Sequence, residues 1–299
     1  MKIKKINKFH IILFLLFSIV IFFIMFNFDK IKQKTFLIPT ENETRALFSW
    51  KSGEVKPGNF ELFEIIGKIK LNTLYQEFSK DLSQDEINEF FLDAELNKID
   101  VYYLTGNPEW ALDKTGKPMV DHISRVIELN KNLNKNTRIK GIVFDIEPYS
   151  LEEWKNKEKV MDSFVKGMEI AYKMASDNNI EVVLCIPYFY DNKGLTKQLK
   201  ELIESGCDSI AIMNYYKDNE IKNMKQEVEF ATMFNKKIIN IYELQAPGTR
   251  GLTEKNTYYN QGVEAIEKNF YNIKKEYYGK DISIAFHEYN SLKEVLGYD

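Results

Sequence analysis

Short runs of β-branched and aromatic residues alternate along the chain with longer stretches in which apolar positions recur every three or four residues among Glu and Lys. The short runs predict strands at Ala46–Trp50, Leu71–Tyr75, Ile99–Leu104, Ile139–Asp145, Ile180–Ile186, Ser209–Asn214, Lys237–Tyr242 and Ile282–Phe286. The stretches between them predict helices. Two of these carry a start signal, Ser83-Gln84-Asp85-Glu86 and Ser150-Leu151-Glu152-Glu153, each with the form of a capping box. Strands that alternate with helices predict a parallel sheet. Eight such units in about 250 residues predict an α/β fold closed as one (β/α)8 TIM barrel, over residues 46–299.

Ahead of the barrel the pattern changes. Lys2, Lys4, Lys5 and Lys8 precede an apolar run from Phe9 to Phe28, interrupted by His10, Ser18 and Asn27. A membrane span needs about 20 apolar residues, whereas a cleavable signal has only about 7–15. The run is apolar on every face, which a soluble amphipathic helix is not. Residues 1–29 are therefore expected to be a basic cytoplasmic stub and a single transmembrane signal-anchor helix. Residues 30–45 would be a polar tether, with the barrel on the extracellular side of the cell membrane.

Composition narrows the function. The net charge is −3 and no basic stripe stands out beyond the N-terminus, so a nucleic-acid partner is not expected. Cys185 and Cys207 lack metal-ligand spacing and are expected as buried thiols. His10, His122 and His287 are too scattered for a zinc motif. No metal or cofactor is expected.

The chemistry gathers at strand ends, where barrels of this kind build their sites. In the fourth strand Asp145 and Glu147 share one face, roughly 6–7 Å apart along the chain, and Ile142, Phe144 and Ile146 take the other. Paired acids in this position suit glycoside cleavage. The neighbouring strand ends supply Trp110 and Tyr149 as sugar platforms, Asn214 and Tyr215 as sugar hydrogen-bonders, and Glu243 and His287. Strand eight places Ser283, Ala285 and His287 on one face, which puts His287 in the lumen. Strand seven leaves open whether Tyr242 or Glu243 faces inward.

These residues resemble those of family 18 glycoside hydrolases, the chitinase-like barrels. That family's strand-four signature is Asp-x-x-Asp-x-Asp-x-Glu; here Asp145 and Glu147 match its last two acids, while Lys140 and Val143 replace the first two. Its strand six often ends in Met-x-Tyr-Asp, which Met213-Asn214-Tyr215 matches up to Tyr216. His287 lies near the position of the family's strand-eight Trp. The resemblance implies that Glu147 is the general acid and that Asp145 orients the substrate's own acetamido group as nucleophile. The substrate would be a polysaccharide or oligosaccharide, with N-acetylated amino sugars. A second resemblance, to clan A glycosidases, implies instead a retaining pair of Glu147 and Glu243, although Ile146 stands where that clan has Asn. A catalytically silent carbohydrate-binding barrel is the third possibility.

Overall fold

Eight parallel strands close on themselves in sequence order: β1 (Arg45–Ser49), β2 (Thr73–Gln76), β3 (Asp100–Thr105), β4 (Gly141–Phe144), β5 (Glu181–Pro187), β6 (Ser209–Met213), β7 (Lys237–Glu243) and β8 (Ile282–His287). This computed structural model describes residues 43–134 and 137–298. β8 returns to pair with β1 through Ala46 and Ala285, so no sheet edge is left open. The closed barrel expected from the strand–helix alternation is the fold observed.

The outer layer follows from the same alternation. After the successive strands come α1 (Phe60–Lys68), α2 (Gln84–Leu96), α3 (Lys117–Asn132), α4 (Lys157–Asp177), α5 (Thr196–Ser205), the short α6 (Glu220–Asn223) with α7 (Lys225–Met233), α8 (Gly262–Glu276) and α9 (Tyr289–Leu296). Each strand splits its side chains between two cores. Ala46, Phe48, Leu104, Val143, Cys185 and Ile241 fill the lumen. Leu47, Ile142, Phe144, Leu184 and Phe286 instead pack outward against the helices. This period of two fixes which strand-end residues can reach the site.

The first capping box forms as expected. The Ser83 hydroxyl accepts the Glu86 N–H at 3.2 Å and the Glu86 carboxylate accepts the Ser83 N–H at 2.8 Å. The second does not. Pro148–Ser150 is a 3-10 turn, the Ser150 hydroxyl donates to the Glu147 carbonyl at 2.8 Å, and extended backbone at Leu151 interrupts the chain before α4 begins at Lys157. The signal failed because a proline-led turn used the serine locally.

At the base of the barrel the structure takes in three residues assigned by sequence to the tether. Thr44 donates its N–H to Ser283 Oγ at 3.0 Å, and Glu43 pairs with both Arg45 and Lys274. The expected anchor, and tether residues 30–42, lie outside the described residues. Among the described residues, no helix is long and apolar enough to cross a membrane.

Candidate active site

β4 delivers the paired acids as its alternation requires. Val143 faces the lumen and Asp145 follows it, while Ile142, Phe144 and Ile146 are fully buried outside. The Asp145 N–H donates to the Thr105 carbonyl at 2.9 Å, which extends the β3–β4 pairing past the strand end. Gly106, the residue after β3, crosses so close that an added Cβ would stand 1.8 Å from the Asp145 carbonyl oxygen. Only a residue without a side chain permits this crossing. Beyond Asp145 the Pro148 turn bends the chain back, and the Tyr149 hydroxyl donates to Glu147 Oε1 at 2.5 Å.

Both acids open into a cleft of about 540 Å³ at the C-terminal ends of the strands, whose walls include Trp50, Lys51, Gln245, Arg250, His287 and Glu288. Cleft and acids therefore coincide with the end of the barrel where such folds place their sites.

The electrostatics of the floor are unusual. Burial is the main reason that the Asp145 carboxyl rises from 3.8 to about 7, and the negative charge of Glu147 pushes it further. His287, the Cys185 thiol and Arg250 pull the other way without prevailing. Asp145 Oδ1 is enclosed and has no hydrogen-bond partner within the protein.

His287 sits across the floor, buried by β1 and β7. Burial, the largest influence, pushes its imidazole down, but the Glu243, Asp145 and Glu288 carboxyls together outweigh it and hold the ring above the ordinary histidine range. Glu243 Oε2 lies 2.9 Å from His287 Nδ1, and the Trp50 indole N–H donates to Nε2 at 3.3 Å. With Trp50 donating, the ring proton resides on Nδ1, toward Glu243.

The structure brings together Asp145, Glu147, Tyr149, His287 and Tyr215, whose ring centroid is 6.2 Å from that of His287. It does not bring three other expected residues to the cleft. Asn214 is buried in a network beneath it, donating to the Glu220 carbonyl and to Asn240 Oδ1, both at 2.9 Å, and accepting from Asn223 at 3.2 Å. Its amide is used up, so it has none to offer a sugar. Trp110 is carried outward by the 3-10 turn Pro108–Leu112 and packs on His122 of α3, 4.7 Å between centroids. Glu243 does face inward, which resolves the ambiguity of strand seven, and Tyr242 packs outside. However, Glu243 Oε1 already accepts the N–H groups of Leu244 (2.9 Å) and Gln245 (2.7 Å), and Oε2 holds His287.

Cleft residues not assigned to the site from the sequence include Trp50, Lys51, Gln245, Arg250, Glu288 and Asn290. Trp50 had a readable signal, since Ala46, Phe48 and Trp50 alternate on one face and the last ends a strand. Gln245 and Arg250 come from a loop, where no periodicity indicates direction. Cys185 and Cys207 are buried free thiols, as expected, with Cys185 in the lumen. Among the described residues no cluster of three or more His, Cys, Asp or Glu side chains is arranged to hold a metal ion.

No protein-family model matches the chain, and no curated protein matches it in sequence. Solved structures do match in shape. A chitinase from Bacteroides thetaiotaomicron superposes with a TM-score of 0.53 at 14% identity, over 85% of this chain and 95% of that one. A family 18 chitinase from Pseudoalteromonas aurantia gives 0.52 at 9% identity, over 86% of this chain and 100% of its own. An intracellular xylanase from Thermoanaerobacterium saccharolyticum gives 0.50 at 10% identity, over 83% and 86%. At these identities the likeness is one of fold: the chain adopts the chitinase-like TIM barrel that its strand-four and strand-six motifs resemble.

Proposed function

We propose that the barrel is a glycoside hydrolase that cleaves a polysaccharide containing N-acetylated amino sugars, with Glu147 as general acid. The observation that carries this reading is the placement of Asp145 and Glu147 together in a cleft at the C-terminal end of the barrel, with Asp145 raised to about 7 by burial and by the charge of Glu147. A carboxyl so raised keeps a proton in the site near neutral pH, beside the Glu147 that protonates the leaving oxygen. Glu147 gives its proton to the glycosidic oxygen as the C1–O bond breaks. Asp145, which lines the cleft beside Glu147, accepts the N–H of the substrate's 2-acetamido group. The acetamido oxygen so oriented bonds to C1, and water then opens that intermediate while returning a proton to Glu147. Tyr149 holds Glu147 in place through its hydroxyl.

The retaining clan A alternative needs Glu243 free to attack. Its oxygens are occupied by two backbone N–H groups and His287, which favours a bracing role. The silent-barrel alternative is distinguished by turnover. The full chain and its Glu147→Gln variant are to be incubated with N-acetylated cell-wall glycans and the products weighed by mass spectrometry. The wild type is expected to release shorter sugars, and the variant to bind without releasing them. Undiminished cleavage by the variant would reject Glu147 as the acid. Binding without cleavage by the wild type would favour the silent barrel.

We also propose that residues 1–29 hold the barrel on the outer face of the cell membrane, a reading supported by the basic stub and the length of the apolar run. Carbonate extraction should leave the protein with the membranes, and protease added outside intact cells should digest the barrel. Mature protein in the medium that begins after residue 28 would overturn the anchor.

A further inference from the structure

We infer that the cleft selects N-acetylated glycans that also carry an acidic group, a carboxylate or a phosphate, and that Lys51 and Arg250 bind that group; this deepens the hydrolase reading above and rests on it. The charges that line the cleft are unequally spent. Glu288 is one of them, but its carboxylate caps α9. Its Oε1 accepts from the Ser291 N–H at 3.1 Å and the Ser291 hydroxyl at 2.9 Å, and its Oε2 accepts from the Asn290 N–H at 3.3 Å and the Asn290 amide at 2.9 Å. Asn290, fixed in this way, presents its Oδ1 to the Lys51 ammonium, which donates to it at 3.2 Å. An ammonium has further donors to offer, and here they are free for a ligand. Among the described residues, no carboxylate pairs with Lys51 or Arg250, and nothing accepts a hydrogen bond from the Arg250 guanidinium.

Arg250 is held at the cleft by its own loop. The Gly248 N–H donates to the Leu252 carbonyl at 2.8 Å and the Leu252 N–H donates to the Thr249 carbonyl at 2.9 Å, which closes residues 248–252 into a tight turn between β7 and α8. Arg250 stands in this turn with φ 49°, in the left-handed region that few side chains adopt, although glycines occupy 248 and 251. Backbone strain of this kind gathers at ligand sites. The topology then sets both cations opposite the acids. In the closed barrel the strand across from β4 is β8, and Lys51 follows β1 and Arg250 follows β7 on either side of it. The cleft is thus acidic on its β4 side and basic on its β7–β1 side. A glycan laid across it with a glycosidic oxygen at Glu147 carries a neighbouring unit to Lys51 and Arg250. A carboxylate or phosphate on that unit meets a guanidinium fork matched to its oxygens, with an ammonium beside it.

The test measures binding by isothermal titration calorimetry. The full chain is titrated with oligosaccharides of matched length that contain N-acetylglucosamine: a neutral one, one with a carboxylate on alternate sugars, and one with phosphate in its backbone. At least one acidic glycan is expected to bind about tenfold more tightly than the neutral one at low salt, and the advantage to shrink as salt is raised. Which of the two gains it tells a carboxylate ligand from a phosphate. Lys51→Gln and Arg250→Gln are each expected to cut the advantage several-fold, whereas Arg250→Lys keeps the charge and most of the advantage. Both side chains are exposed, so neither substitution disturbs the core, and circular dichroism checks the fold of each variant. Affinity for the neutral glycan that matches or exceeds that for both acidic ones would overturn the inference, as would an advantage undiminished in the folded double variant. Binding needs no turnover, so the two readings fall separately. Cleavage of a neutral glycan without acidic preference removes this inference and leaves the hydrolase, whereas a preferred acidic glycan that is never cleaved keeps the role of the cations and rejects the hydrolase.

Discussion

Asp145→Asn should make the protein more stable at alkaline pH and leave it nearly unchanged at acid pH. The carboxyl titrates at 3.8 when free and at about 7 in the fold. Between those values the unfolded chain has released the proton and the folded chain has not. Stability therefore falls as pH rises through that window and levels off above the folded value. At about 1.4 kcal/mol per pH unit, the whole displacement corresponds to about 4 kcal/mol. Part of it comes from Glu147, which the amide no longer repels, and an Asn in place of an enclosed Oδ1 retains the shape. The variant is thus expected to gain on the order of 2–4 kcal/mol at about pH 8, and little at about pH 4, where both side chains are neutral. Urea unfolding followed by far-UV circular dichroism at the two pH values measures this, provided the slopes match. An equal difference at both pH values, or a loss of stability at pH 8, would refute the burial argument. Stability gained where activity is lost is the pattern of a site strained for function.

Two further outcomes follow from the geometry. Gly106→Ala forces a Cβ to 1.8 Å from the Asp145 carbonyl, so the β3–β4 crossing must open by more than an ångström. It should cost about 1–3 kcal/mol in urea unfolding and lower turnover about 10²-fold through misplacement of the acid; wild-type turnover would show that Asp145 need not be placed so tightly. Glu243→Gln should retain most turnover on N-acetylated glycans and leave sugars lacking the 2-acetamido group uncleaved, whereas a folded but inactive variant would restore Glu243 as a nucleophile.

The fold was legible because its signals repeat. Eight strands, each buried on both faces and bounded by amphipathic helices, leave few alternatives to closure, and the expected strands differ from the observed ones by only a residue or two at their ends. The direction of side chains within strands was equally readable. Ile142, Phe144 and Ile146 pack outside, and His287 faces the lumen. What escaped was direction beyond the strands. Trp110 follows β3 by a few residues, and a 3-10 turn carries its indole to α3. Asn214 sits one residue past β6, on the face opposite Tyr215, where it serves Glu220 and Asn240 instead of a ligand. Arg250 reaches the cleft from a loop with backbone in the left-handed region (φ 49°), which no residue pattern announced. A period of two persists only while the backbone remains extended; Trp110 and Arg250 lie where it has ceased, whereas the alternation itself puts Asn214 opposite Tyr215.

Three carboxyls at the top of this barrel illustrate how position assigns work to one kind of group. Glu243 has its oxygens satisfied by two N–H groups and an imidazole, so it can hold a neighbour but has nothing to offer a substrate. Glu147 has a phenol on Oε1 and opens to the cleft, which suits a group that must donate a proton and recover it. Asp145 lies between them in the floor with an enclosed oxygen that nothing in the protein satisfies. An unsatisfied buried acceptor costs about 1–3 kcal/mol, more when charged, so the folded protein is stabilised by whatever brings a donor there. Oδ1 is closed to water as the fold stands, so a donor from the cleft reaches it only if the floor moves. In the proposed mechanism a sugar with a 2-hydroxyl lacks the acetamido carbonyl that attacks C1, so it occupies the cleft without reacting.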